Sequence, residues 1–380
     1  MKDHLSYYKN LKTVPTVDLK DLNKKDLFKQ RFNFYFKLGI TKNDLKNKNI
    51  LEMCPGAGHN AYYLVTQCKI KKIKLIDKNP GSLKSLKKNL SKFKNVKIIN
   101  SDVFIYNTLE KFDYTILENT IDGFGKPEVI FKKLCKLTKK DGVMILTFPN
   151  LYGLFSIKLK YLYALMLIEQ NKITNFNERV MFLIKVFNTH LKYLSTNTRK
   201  TNKWIIDNIL NNEWITKTKY FDYFMLKKLL EDNFLIKSLS PNFLKDYIWY
   251  KNMDYKKHNS NIFNNFFNEQ INFLDFETKF ECNQKKLSYH IKNFTKKISK
   301  FNPNKKIDLK KFNIIYKEVC KINKILNKLK PNNKIYFALS EFIQLMDDFK
   351  KKKKISLKTK NFYKFWGIGM SQITLYKTYN

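Results

Sequence analysis

The stretch that decides the fold is Asn49-Ile50-Leu51-Glu52-Met53-Cys54-Pro55-Gly56-Ala57-Gly58, an apolar strand that runs directly into a glycine-containing turn. Residues 60–68 then have the composition of a helix start. A glycine turn between a strand and a helix exposes backbone N–H groups, and it lets a ligand approach the main chain closely because no Cβ is in the way. Gly56 and Gly58 therefore predict a ligand site at this corner.

Outward from this corner, strand and helix patterns alternate at short intervals. Helices are predicted at 82–93, 127–137 and 223–232, and further strands at 72–76, 96–99, 112–117, 143–147, 234–239 and 369–379. The strands of the first half are apolar on both faces, which is typical of a parallel sheet covered by helices on both sides. The pattern predicts an α/β fold with a doubly wound, Rossmann-like sheet of seven strands.

The domain organisation follows from where this alternation is interrupted. We predict a helical N-terminal segment or lid at 1–48, a Rossmann-like ligand-binding core at 49–150, a helical cap insertion at 151–215, a continuation of the core with a helix and the sixth strand at 216–249, a Lys- and Asn-rich helical insertion at 250–364, and the final core strand at 365–380.

The charge of the chain is strongly basic. It has 380 residues, with 74 Lys and Arg against 32 Asp and Glu, a formal net charge of +42. Such an excess favours polyanionic partners, namely nucleic acid, anionic lipid surfaces or acidic glycans. Only Arg31, Arg179 and Arg199 are arginines, and the lysines are spread along the chain. A solvated lysine surface is therefore favoured over a nucleic-acid face, although nucleic acid stays open as a partner.

Cysteine usage and hydropathy indicate the cellular compartment in which the protein is expected. The five cysteines are widely spaced and form no C-x-x-C, so neither a disulfide framework nor a metal site is predicted. The N-terminus leads into no apolar signal-like run, and no apolar run is long enough for a transmembrane segment. The expectation is a soluble, cytoplasmic protein.

Acidic residues follow the predicted strands on the edge where the glycine turn lies. Asp77 ends the second strand, nineteen residues after Gly58, where a carboxylate can accept hydrogen bonds from both ribose hydroxyls of an adenosine. Asp102 follows the third strand and Glu118 the fourth. Ligands of open α/β sheets bind at the carboxyl ends of the strands, so these side chains should meet there.

Two ligand classes fit this corner. Residues 56–61 satisfy the pattern G-x-G-x-x-G/A, so an NAD-dependent oxidoreductase is one alternative. Glu52 argues against it, because a carboxylate four residues before Gly56 would repel a pyrophosphate but attract the cationic amino end of a methyl donor. Asp102 ends the third strand, where the adenine amino group of such a donor needs an acceptor.

These motifs resemble those of the class I S-adenosylmethionine-dependent methyltransferases. Residues 51–58 look like the first motif, E/D-x-G-x-G-x-G, with Cys54 in place of the first glycine. Residues 75–77, 100–103, 116–119 and 139–147 are similar to the family's next motifs, and 148–150 resemble its small-molecule and glycan-modifying branch. Residues 370–377 look like its seventh, antiparallel strand. The resemblance covers about 48–150, 215–245 and 365–380.

The resemblance implies an enzyme with S-adenosyl-L-methionine as cofactor. The donor-binding residues it implies are Glu52, Cys54, Gly56, Gly58, Asp77, Lys78, Asp102, Val103, Glu118 and Asn119. The implied reaction is methyl transfer to an oxygen or nitrogen of a small molecule, sugar or glycan precursor, which can be anionic.

An oxygen acceptor often needs a general base within hydrogen-bond reach. Glu118, Asp122 and His190 are the candidates, with His59 beside the turn as a further one. His190 can equally be a helix-packing side chain, and Asp122 a loop residue. An RNA methyltransferase is the alternative function that the charge suggests, although no N-P-P-Y/F tetrad occurs. A degenerate fold used as a scaffold is the non-enzymatic alternative.

Overall fold

The computed structural model of the protein describes residues 6–8, 19, 22–194, 199–211, 216–243, 254–280 and 285–378. The predicted N-terminal segment and both predicted insertions lie partly outside the described residues. None of the described helices is both long and apolar enough to cross a membrane.

Strands and helices alternate through the first half of the chain. The strands are β1 (Asn49–Met53), β2 (Lys72–Asp77), β3 (Val96–Asn100), β4 (Phe112–Leu117), β5 (Thr138–Pro149), β6 (Phe234–Ser240) and β7 (Met370–Lys377). The helices are α1 (Lys24–Lys37), α2 (Lys42–Leu45), α3 (His59–Gln67), α4 (Pro80–Leu90), α5 (Pro127–Leu137), α6 (Phe155–Gln170), α7 (Phe176–Lys192), α8 (Thr201–Asn208), α9 (Tyr223–Leu229), α10 (Tyr255–Glu269), α11 (Lys285–Ile298), α12 (Leu309–Leu329) and α13 (Lys334–Lys350).

The strands form one seven-stranded sheet in the order β3-β2-β1-β4-β5-β7-β6. The strands from β3 to β5 pair in parallel, whereas β7 is antiparallel to both β5 and β6. The predicted doubly wound α/β sheet with an antiparallel last strand is confirmed. The chain order reverses between β1 and β4, so the carboxyl ends of these two strands form the switch point at which such sheets bind ligands.

The chain forms two compact units. Unit 1 comprises the described residues of 1–149, 221–267 and 370–380, and it contains the whole sheet. In its core, aliphatic side chains of the strands pack against those of α3 and α4. Examples are Ile50, Ile73 and Leu75 on the strands, with Leu64 on α3 and Leu86 on α4. Unit 2 comprises the described residues of 150–220 and 268–369 and is helical.

The fifth strand begins earlier than its sequence pattern predicts. It starts at Thr138, which pairs with Phe112, but the next pair joins Tyr114 to Val143, so residues 139–142 bulge out of the ladder. Asp141 has a φ of 57°, and a Cβ at Gly142 would lie 2.9 Å from the Lys139 carbonyl oxygen. Gly142 therefore belongs to an irregularity within β5 and does not mark where the strand starts.

Candidate functional site

The turn between β1 and α3 is built from left-handed backbone. Gly56 has a φ of 58° and Gly58 a φ of 82°. A Cβ at Gly58 would lie 2.8 Å from Leu86 Cδ2 and 2.9 Å from Leu90 Cδ1 of α4. Glycine is thus required at 58 both by conformation and by the close approach of α4.

Cys54 adopts the backbone conformation that a glycine favours. Its φ is 54°, and its N–H donates to the carbonyl oxygen of Ile76 at 2.8 Å. The turn therefore keeps its shape with cysteine in place of the motif's first glycine, with some left-handed strain.

We expect Cys54→Gly to be tolerated. The substitution relieves roughly 1–2 kcal/mol of left-handed strain, and it costs about 0.5–1 kcal/mol because glycine has more conformational freedom in the unfolded chain. The unfolding temperature should therefore stay the same or rise slightly. Gly58→Ala is the matched control, and it should lower the unfolding temperature clearly because alanine is strained at a φ of 82° and its Cβ also meets Leu86 and Leu90. A loss of stability in Cys54→Gly as large as in the control would contradict the strain assigned to Cys54.

Asp77 lies on the same edge as the glycine turn and is bonded to it. Its buried carboxylate, 6% exposed, accepts the Asn79 N–H at 2.8 Å and also backbone N–H groups of Gly56 and Lys78. Burial raises the pKa of Asp77, and these hydrogen bonds act against that rise. The acid at the end of β2 is therefore held rigidly beside the turn.

The loop after β3 is shaped by two lysines. Lys78 Nζ lies 2.6 Å from Asp102 Oδ2, and Asp102 Oδ1 accepts the Phe104 N–H at 2.9 Å. Burial acts to raise the pKa of Asp102, but the hydrogen bonds from Lys78 and the Phe104 N–H, together with the charges of Lys78 and Lys133, outweigh it and lower that pKa below its usual value. Lys133 of α5 donates to the carbonyl oxygen of the buried Val103 at 2.8 Å, which fixes the loop from the other side.

Two glutamates meet at the switch point between β1 and β4. Glu118 follows β4, and Arg31 Nη1 of α1 lies 2.7 and 2.8 Å from its two carboxylate oxygens. Glu52 in β1 is 3% exposed, and its Oε2 has no hydrogen-bond partner among the described residues. Burial above all, and then the Glu118 charge, raises the pKa of Glu52 to about 8, with Arg31 acting against the rise.

Two more buried polar side chains border this carboxylate pair. The Tyr35 hydroxyl of α1 donates to Asn60 Oδ1 of α3 at 2.8 Å. Burial and the charges of Glu118 and Glu52 raise the pKa of Tyr35 well above its usual value, so the hydroxyl stays protonated. Asn60 Nδ2 and Glu52 Oε2 make no hydrogen bond of normal geometry with any described residue. A weaker interaction with the Asn60 side chain acts to lower the pKa of Glu52, so this buried donor and this buried acceptor lie beside each other.

These two orphaned atoms fit the amino-acid end of S-adenosylmethionine. That end carries an ammonium and a carboxylate, which need an acceptor and a donor respectively. A buried polar atom without a partner is costly, so its persistence indicates a ligand or water that completes it. Asp77 and the bare backbone of the turn complete a set of groups suited to an adenosyl ligand.

The other predicted base candidates have structural contacts. Asp122 is buried in unit 1, where its carboxylate accepts the Phe221 N–H ahead of α9. Asn119, with a φ of 58°, donates its N–H to Thr147 Oγ1 at 2.7 Å and so ties β4 to β5. His59 is the first residue of α3.

His190 belongs to unit 2 and is 1% exposed. Its ring lies among those of Tyr163, Phe187 and Phe362, with centroids 5.1 to 6.3 Å away. Burial, and then the nearby Lys160 charge, lowers the pKa of His190 well below its usual value. The structure therefore gives His190 a core environment and places it outside the unit that holds the sheet edge.

The structure brings together at one edge all the predicted donor-binding residues, and it adds three that sequence reasoning missed. Arg31, Tyr35 and Asn60 reach this edge from α1 and α3. The sequence does contain one signal for Arg31, because it is one of only three arginines in a lysine-rich chain. Tyr35 belongs to an apolar and aromatic cluster at 28–38 that could cover a binding cleft, but nothing in the sequence marks its hydroxyl, and Asn60 carries no distinguishing pattern.

Comparisons with known proteins agree with this geometry. Residues 44–204 match a family model described as a methyltransferase domain. No curated protein sequence matches the chain.

Among solved structures, the N-methyltransferase NodS from Bradyrhizobium japonicum WM9, in complex with S-adenosyl-L-homocysteine, is similar at 14% identity over 38% of this chain and 74% of that chain, with a TM-score of 0.32. The glycopeptide N-methyltransferase MtfA, complexed with sinefungin, is similar at 11% identity over 32% of this chain and 54% of that chain, with a TM-score of 0.28. The chain thus spans about half the length of MtfA.

Residues 44–204, which match the methyltransferase-domain model, include strands β1 to β5 and the strand-end acids of this site.

Proposed function

We propose that this chain is an S-adenosylmethionine-dependent methyltransferase, and that it transfers the methyl group to an oxygen or nitrogen of a small molecule, sugar or glycan precursor. The observation that carries the proposal is that the side chain of each of the three arginines forms hydrogen bonds or ion pairs with groups of the chain itself. Arg31 binds Glu118, Arg179 donates to the Ile173 carbonyl and Asn304, and Arg199 pairs with Asp207. The arginine guanidinium group commonly makes bidentate hydrogen bonds to phosphate and guanine. A protein that recognises RNA would therefore be expected to expose an arginine without an internal partner.

The donor-binding roles follow from the groups at the edge of the sheet. Glu52 Oε2 accepts from the donor's ammonium, and Asn60 Nδ2 donates to its carboxylate. Asp77 accepts from the ribose hydroxyls, while Asp102 and Val103 border the adenine. Gly56 and Gly58 let the ligand lie against the main chain.

The acceptor chemistry asks little of the protein beyond positioning. A sulfonium donor supplies a methyl group that is already activated. The protein has to align the acceptor with that methyl group and exclude water. Glu118 is the proposed general base, because it lies at the switch point with Arg31 holding its carboxylate in place.

The experiment is methyl transfer from isotopically labelled S-adenosylmethionine to two separate acceptor pools, one of total RNA and one of small metabolites and glycan precursors. We expect label in the second pool, and no label with Asp77→Ala as the inactive control. Label confined to RNA and released by ribonuclease would overturn the proposed acceptor class but support the proposed methyltransferase activity, whereas no label in either pool would count against that activity.

A further inference from the structure

Basic charge is concentrated in one segment of unit 2. Residues 285–330 contain fifteen lysines and two acidic residues, whereas the whole chain has 74 Lys and Arg against 32 acids. Both acids are paired within the segment. Asp308 lies 3.3 Å from Lys311, and Glu318 lies 2.7 Å from Lys297 and 2.8 Å from His290. The even spread of lysines expected from the sequence therefore does not describe this segment.

The lysines of α12 form a straight stripe on its exposed face. Steps of three, four and seven residues keep side chains on one face of a helix, and the lysines at 310, 317, 321, 324 and 328 follow these steps. All five are exposed, and none forms an ion pair with an acid among the described residues. The stripe runs about 27 Å at 1.5 Å per residue. The opposite face of α12 is buried.

The charge extends sideways from this stripe onto neighbouring segments. α12 packs against both α11 and α13. α11 carries exposed lysines at 285, 292 and 296, again on one face. Lys350 Nζ lies 4.3 Å from the ring centre of Tyr316, which places the exposed basic run 350–354 beside the first half of α12. We call the exposed lysines of α11, α12 and 350–354 the lysine face.

Apolar side chains are interleaved with these lysines. Ile314 is 47% exposed within the stripe of α12, and Tyr289 is 62% exposed within that of α11. Lysines spread over a face that also exposes apolar side chains are typical of surfaces that lie against a bilayer, where lysine stems cover apolar surface and the ammonium groups meet lipid phosphates. A nucleic-acid channel would instead present several aromatic rings for stacking, and Tyr289 is the one aromatic within these stripes.

We propose that the lysine face docks on a bilayer surface rich in anionic phospholipids, with Ile314 and Tyr289 entering the headgroup layer. The attraction is electrostatic and adds up over many lysines near the surface. The proposal goes beyond the proposed function and is independent of which acceptor receives the methyl group.

The test is cosedimentation of the full chain with vesicles of equal parts phosphatidylcholine and phosphatidylglycerol, and with vesicles of phosphatidylcholine alone. We expect binding to the anionic vesicles only, weakening as salt is raised. Absence of binding to the anionic vesicles at low salt would overturn the proposal, and so would equal binding to both kinds of vesicle.

Charge-reversal variants test whether the lysine face is responsible. The stripe variant combines Lys317→Glu, Lys321→Glu, Lys324→Glu and Lys328→Glu, and the control with the same change in net charge combines Lys84→Glu, Lys87→Glu, Lys94→Glu and Lys97→Glu in unit 1. The stripe variant should lose at least about 30-fold in vesicle affinity, and the control should lose much less. Equal losses would show that net charge alone drives binding and would overturn the proposal.

Two further measurements distinguish bilayer docking from a purely electrostatic contact and from RNA binding. Ile314→Ser leaves the charge unchanged, and it should weaken vesicle binding severalfold while S-adenosylhomocysteine binding and thermal unfolding stay as in the wild type. Transfer RNA tests the other polyanion. If the stripe variant loses RNA affinity but keeps vesicle affinity, the lysine face is a nucleic-acid surface and the proposal is wrong.

Discussion

Asp77→Ala should reduce S-adenosylhomocysteine affinity by at least about 100-fold, because hydrogen bonds to a charged group contribute roughly 1.5–3 kcal/mol each and two ribose hydroxyls lose their acceptor. The carboxylate is buried at the end of β2 and accepts hydrogen bonds from the Asn79 and Gly56 backbone. Calorimetric titration at constant salt measures the loss.

A stability control is needed, since alanine also removes the acceptor of these backbone N–H groups. Asp77→Asn keeps the side-chain volume and one oxygen that can accept from these backbone N–H groups. We expect Asp77→Asn to unfold near the wild-type temperature while its affinity still falls clearly. Unchanged affinity in both variants would remove Asp77 from the donor site.

Glu52→Gln should stabilise the ligand-free protein at alkaline pH. Glu52 has its pKa raised from 4.5 to about 8 in the folded chain, chiefly by burial. The folded state therefore keeps a proton that the unfolded chain releases. This stabilisation is fully present below pH 4.5 and is lost as the pH rises through about 8. Glutamine removes that loss, so above pH 8 the variant should be more stable by a few kcal/mol at about 1.4 kcal/mol per pKa unit.

The same variant should bind the donor less well. The ammonium of the donor needs an ionised acceptor, and Glu52 Oε2 is a buried carboxylate oxygen at this corner that makes no hydrogen bond of normal geometry with any described residue. We expect Glu52→Gln to lose roughly 10- to 100-fold in S-adenosylhomocysteine affinity, the loss of one or two charge-assisted contacts. Chemical denaturation above pH 8 and calorimetry measure the two effects. A variant that is both less stable and equally tight in binding would contradict the assigned role.

The affinity of the wild-type protein for S-adenosylhomocysteine should depend on pH through the ionisation of Glu52. Binding requires this carboxylate to ionise, so affinity should rise as the pH increases from 6 towards the Glu52 pKa of about 8, with proton release to the buffer. Titrations in two buffers of different ionisation enthalpy reveal the released proton. In Glu52→Gln that part of the release should vanish.

The sheet could be predicted because its signals are local. β1 and β4 have the predicted bounds, since each is a short apolar run that ends at a polar or turn residue. The start of β5 could not be predicted, because the bulge at 139–142 depends on how β4 pairs with it. Local pattern records strand composition, whereas register is set by the partner strand.

Some residues of the candidate site could be predicted from the sequence, and others could not. Strand-end acids such as Asp77 and Glu118 could be placed from the sequence, because the carboxyl ends of parallel strands share an edge. Arg31 could not, since it meets Glu118 across 87 residues and its helix carries no motif. The same holds for Lys133, one lysine among many, whose contact with the Val103 carbonyl depends on the packing of α5.

The central claim is that the glycine turn and the strand-end carboxylates together hold S-adenosylmethionine. A crystal structure of the protein grown with S-adenosylhomocysteine tests it most directly. We predict the ribose against the Asp77 carboxylate and the amino group at Glu52 Oε2. A ligand bound elsewhere on unit 1, with water filling this corner, would contradict the claim.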